Sequence, residues 1–177
     1  MKTYSEIVIP VAMKLGALIG FCYVFSIVLP MMIPFVGSLL GLVLLFAPIV
    51  LLYKAMKSVC NGFEPEWTNG RRYSANLVSL QLINFGVVTF FFSGLIYALF
   101  IYVYTTYINP QYLADSIALS SKILSANLTI EEQVHVNEEL NSITPSSMII
   151  AAILFMGFVG LFLSVLDVIA LRIKYRR

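Results

Sequence analysis

"IVIPVAMKLGALIGFCYVFSIVLPMMIPFVGSLLGLVLLFAPIVLLY", residues 7–53, holds one charged side chain, Lys14, in a run long enough to cross a bilayer twice. A helix needs about 20 largely apolar residues to cover a hydrocarbon core of roughly 30 Å. The run divides at "LPMMIP", residues 29–34, a joint so short that the two halves must turn back on each other as an antiparallel hairpin. Spans are therefore expected at about 7–29 and 33–53.

Two more segments meet the same length requirement, at about 76–107 and 148–173. The expected fold is all-α: an integral membrane four-helix bundle, one transmembrane domain over residues 1–177, with a helical extracytoplasmic loop between helices three and four. Composition agrees, because charged residues make up 11% of the chain against roughly 25% in soluble domains. A cleaved signal peptide is the alternative for the first segment. Lys14 interrupts its apolar run, the segment is too long for a signal core, and no small-residue cleavage site follows, so the segment is read as retained.

The third segment, about 32 residues, makes roughly 48 Å of helix and must tilt or protrude. Its far half, "TFFFSGLIYALFIYVYTTYINPQY", carries Tyr102, Tyr104, Tyr107 and Tyr112. That is the pattern of rings anchored at the headgroup level.

Basic residues gather at the cytoplasmic ends of membrane helices. Lys2 and Lys14, then Lys54, Lys57, Arg71 and Arg72, then Arg172, Lys174, Arg176 and Arg177 make ten of eleven basic residues that fall on one side if both termini are cytoplasmic. Residues 108–146 are thus expected outside, with both termini cytoplasmic. There Lys122 stands against Asp115, Glu131, Glu132, Glu138 and Glu139. A net charge of +2, with basic residues in short runs rather than on one stripe, argues against a nucleic-acid partner.

The outer segment is too long to lack structure. Pro110 suits a helix start, with Leu113, Ile117 and Leu124 on one face. Thr129 followed by Glu132 reads as a capping box opening a helix to about Asn141, and Pro145 precedes the fourth span. "NLT" at 127–129 matches a glycosylation acceptor, a triplet frequent by chance. His135 stands alone and reads as a solvated side chain. Cys22 and Cys60 have no metal or CxxC spacing. No catalytic, metal or cofactor site is expected.

Membrane helices associate through small residues that let backbones approach. Gly16 and Gly20, Gly37 and Gly41, and Gly94 with Ala98 repeat the four-residue spacing; Gly157 and Gly160 stand three apart. Lys14 and Asp167 fall inside spans, roughly 12 Å from Glu6 and roughly 7 Å before Arg172 along their helices. With Gln81 and Asn84 they are expected to form an intramembrane polar cluster. It reads either as a neutralising pair or as a polar vestibule for a headgroup, an ion or a partner's helix.

The order of four spans, the loop closing in "NGRRYS", the stretch "YTTYINPQYL" and the final "SVLDVIALRIKYRR" resembles the small Bacteroidota inner-membrane proteins of domain-of-unknown-function family 4199. "INPQYL", residues 108–113, carries the likeness most specifically, while "RRYSANLVSL" does not reproduce the family's glycine and phenylalanine turn. The resemblance implies an inner-membrane protein without assigned activity and, as a partner, a polyprenyl-phosphate glycosyltransferase. From the residues, the expectation is a non-catalytic accessory subunit that docks or stabilises another membrane protein, or a homo-oligomer. A lipid-handling protein or small transporter built on Lys14 and Asp167 is the alternative.

Overall fold

The computed structural model describes residues 4–67, 75–125 and 129–175, with side chains described over 8–59, 79–123, 129 and 131–171. Arg71, Arg72 and the asparagine of the "NLT" triplet lie outside the described residues. Among the described residues six α-helices follow one another: α1 (Tyr4–Met32), α2 (Pro34–Trp67), α3 (Ala75–Val103), α4 (Gln111–Ser125), α5 (Ile130–Asn141) and α6 (Pro145–Tyr175). A π-helical turn, Tyr104–Ile108, closes α3, and no strand occurs among the described residues. Among the described residues, four helices are long and apolar enough to cross a membrane, through Val8–Met32, Pro34–Val59, Ser79–Ile108 and Pro145–Leu171.

α2 runs well beyond the expected end near residue 53. Apolar length predicts where a helix can meet hydrocarbon, whereas Lys54, Ala55, Met56 and Lys57 are good helix formers that carry the backbone hydrogen bonds onward. The end of α3 also differs. Asn109 donates its N–H to the Tyr104 carbonyl at 2.8 Å, a five-residue step, and Thr105 Oγ1 donates to the Ile101 carbonyl at 2.8 Å. One extra residue thereby widens the last turn just before Pro110, which has no N–H to continue the ladder.

The chain divides into two compact units, residues 1–97 with 153–177, and residues 98–152. In the first, α1 and α2 form the hairpin that the short joint requires. Ile33 N–H reaches the Leu29 carbonyl at 2.9 Å and Gly37 N–H the Ile33 carbonyl at 2.7 Å, so hydrogen bonding barely lapses at the turn. A Cβ placed at Gly37 would run into the Leu29 carbonyl, and one at Gly41 would fall 3.2 Å from Pro30 Cγ. Both glycines are spent on this hairpin.

Gly16 and Gly20 face a different neighbour. A Cβ at Gly16 would strike the Thr89 carbonyl and lie 2.8 Å from Phe92 Cβ, while one at Gly20 would lie 2.9 Å from Ile96 Cβ. The rising register, 16 with 89–93 and 20 with 93–96, makes α1 and α3 parallel. Gly94 lies against Met156 and Ile153, and Gly160 against Phe90 and Gly86, so α3 and α6 run antiparallel. Ile19, Leu52, Met56, Phe85 and Phe90 fill the core at 0% exposure. Phe35, Leu42, Val43 and Phe158 point outward instead, an arrangement suited to helices surrounded by hydrocarbon.

In the second unit, α4 packs on α5, and Ser121 Oγ donates to Asn137 Oδ1. Glu132 accepts from the backbone N–H and the hydroxyl of Thr129, both at 2.8 Å, at the start of α5. Thr144 and Ser147 hold the start of α6 reciprocally, the N–H of each reaching the hydroxyl of the other at 2.9 and 3.2 Å. Pro145 occupies the first turn, where its missing donor removes one of the N–H groups a helix start leaves unbonded.

Candidate functional site

The expected polar cluster is not assembled. Lys14 and Asn84 are exposed, Asp167 is buried, and Gln81 is half-buried and engaged in an interaction of its own. No ion pair joins Lys14 to Asp167, and Asp167 Oδ2 has no hydrogen-bond partner among the described residues. The described side chains of Lys14 and Asp167 are thus seen without the expected pairing. Equal depth along two helices is not proximity, because rotation about each axis decides whether two side chains face each other. Lys14 lies two positions from Ala12 and from Gly16, which are buried. Two residues rotate a helix by roughly 200°, which turns Lys14 away from the core.

A track of small hydroxyl side chains takes the cluster's place inside the first unit. Ser79, Thr89 and Ser93 of α3 and Ser164 of α6 are buried together with Asp167. Thr89 Oγ1 donates to the Phe85 carbonyl at 2.8 Å, and Ser164 Oγ donates to the Gly160 carbonyl. Each hydroxyl is thus satisfied within its own helix. Ser93 Oγ, fully buried, has no hydrogen-bond partner among the described residues. Ser164 occupies the space in front of Gly86, where any Cβ would collide with its hydroxyl.

The four hydroxyl residues carry no charge to mark them in the sequence. A signal was present: Ser79, Gly86 and Ser93 recur every seven residues on α3, and Gly160, Ser164, Asp167 and Leu171 recur at alternating spacings of four and three on α6. Small residues in that rhythm mark a close helix contact. Of the glycines expected to pack, Gly16, Gly20, Gly37, Gly41 and Gly94 all meet a neighbouring helix, whereas Gly157 has nothing within 4 Å. On α2, Lys54 is exposed and Lys57 half-buried.

The second unit holds an open groove of about 430 Å³ between α4, α5 and the first turns of α6. Leu113 and Ile117, expected on one face of α4, line it with Leu140, Ile143, Met148 and Ala151, and Ser116, Ser120 and Ser147 add hydroxyls. The side chain of Leu124 lies outside the described residues. The tyrosines cluster in this unit as well, with ring centroids 5.3 Å apart for Tyr104 and Tyr112 and 6.3 Å for Tyr102 and Tyr107. His135 is solvated, 3.6 Å from Glu139 one turn along α5. Hydrogen bonds from the backbone and then the hydroxyl of Thr129 hold the Glu132 carboxyl below its ordinary range.

No protein-family model, curated protein or solved structure matches the chain, so the resemblance drawn from "INPQYL" rests on the sequence stretches that carry it.

Proposed function

We propose that this chain is a non-catalytic subunit of a bacterial inner membrane that docks and stabilises another membrane protein. Both termini are cytoplasmic and residues 108–146 lie outside. Lys14 carries the reading. It stands exposed within the span Val8–Met32, and no described residue supplies it with an anion.

A cation in a spanning helix costs about 2.5–3.5 kcal/mol at the bilayer centre on insertion scales, and such residues commonly pair. An acidic side chain on a partner's helix would meet it at that depth. The resemblance makes a polyprenyl-phosphate glycosyltransferase the first partner to test. The partition of ten basic residues from Lys122 supports the orientation.

The test is affinity purification in a gentle detergent of the wild type, Lys14→Met and Lys14→Arg, followed by mass spectrometry. A membrane protein with an intramembrane carboxylate should accompany the wild type and Lys14→Arg and be absent from Lys14→Met. Recovery of the chain alone from wild-type cells, or the same companions with Lys14→Met, would overturn the proposal.

A further inference from the structure

We infer that the groove between α4, α5 and the start of α6 binds one acyl chain of a membrane lipid, with the lipid's ester region at the serine hydroxyls. The inference does not depend on the docking reading, because Lys14 takes no part in it. At about 430 Å³ the groove has the size of small-molecule sites. Most of its lining is apolar, and Ser116 and Ser120 of α4 bring two hydroxyls to it, whereas the Ser147 hydroxyl is donated to the Thr144 carbonyl. That chemistry suits an aliphatic chain ending in ester oxygens, which accept hydrogen bonds but carry no charge.

Two observations place this groove beside lipid. One wall, Met148 and Ala151, belongs to the apolar segment Pro145–Leu171, and its neighbour Ile150 is 61% exposed. The groove is thus continuous with a surface suited to hydrocarbon. At the other wall, Leu113 follows Tyr112, whose ring lies against Tyr104 in the tyrosine cluster. Tyrosines of this kind concentrate where headgroups meet water. Leu119 and Ile123 of α4, 61% and 64% exposed, add a second apolar surface on the same small unit.

Charge narrows the lipid. Over residues 98–152, Lys122 is the single basic residue against five acidic ones, Asp115, Glu131, Glu132, Glu138 and Glu139. The four glutamates are exposed on α5, so an anionic headgroup is repelled and a zwitterionic one is favoured.

Native mass spectrometry of the full chain, released from detergent with added phosphatidylethanolamine or phosphatidylglycerol, tests this directly. One phosphatidylethanolamine should be retained at collision energies that strip the rest, in preference to phosphatidylglycerol. Ala151→Trp fills the groove, and Ser120→Phe does so from the opposite wall should the first variant not fold; either should lower retention about tenfold. Phe158→Trp, on an exposed face of α6, should leave retention unchanged. The inference is overturned if the groove variants retain the lipid as the wild type does, if Phe158→Trp loses it equally, or if phosphatidylglycerol is held better. A dimer abolished by the groove variants, with no bound lipid, would assign the groove to a second copy and equally overturn it.

Discussion

Gly86 and Gly157 show how differently one residue type can serve two neighbouring helices. A methyl at Gly86 has no room, since it meets the Ser164 hydroxyl and stands 2.9 Å from Met56 Cε, whereas a methyl at Gly157 meets nothing within 4 Å. Gly86→Ala is therefore expected to destabilise the bundle by about 1–3 kcal/mol through forced separation of α3 and α6. Gly157→Ala should be neutral or stabilising by up to about 1 kcal/mol through helix propensity. Thermal unfolding in detergent compares the two, and equal effects would refute the packing assigned to Gly86. The Asp167 carboxylate is the complementary case, buried with an unpartnered oxygen. Replacing an uncompensated buried polar group with an apolar one of similar size removes a desolvation penalty, so Asp167→Leu should not lower stability. Because Lys14 does not reach it, Lys14→Met and Asp167→Leu should be additive within about 0.5 kcal/mol. A larger coupling would restore the ion pair that the sequence suggested.

At the level of single helices, legibility followed the physics of each signal. Apolar length located all four long helices, and the Thr129 and Glu132 pair located the start of α5, because a capping box ties a local motif to one backbone geometry. The continuation of α2 and the π-turn are not legible in the sequence. Past residue 53 no apolar pattern remains to read, and the π-turn depends on a hydroxyl choosing the Ile101 carbonyl, a choice made by three-dimensional geometry rather than composition. The α5 cap also implies a pH dependence. The Glu132 carboxyl is held below its ordinary value of 4.5, so its stabilisation is present above that value and is lost as pH falls through the depressed range. Protection of the first amides of α5 against hydrogen exchange should accordingly decline on acidification. Glu132→Gln should remove that decline, and an unchanged pH profile in the variant would refute the role given to the cap.

For the molecule as a whole, the orientation rests on charge and can be tested by chemistry. In a cysteine-free background, Glu138→Cys should react with an impermeant thiol reagent in intact cells, and Lys54→Cys should react only after permeabilisation. The reverse pattern would invert the topology. How the helices pack was half legible: the glycine pairs announced close contacts, but which helix each would meet required the register of α1 on α3 and of α3 on α6. The α1–α2 joint has a consequence for biogenesis. Met32, Ile33 and Phe35 at its tip are 73%, 52% and 79% exposed, and no charged residue occurs between Lys14 and Lys54. An inserting hairpin therefore has no ionised group to carry across the hydrocarbon, and its tip loses little hydration on the way. Such a pair can partition from the translocon as a unit, its far end arriving already hydrogen-bonded, before the remaining helices have been synthesised.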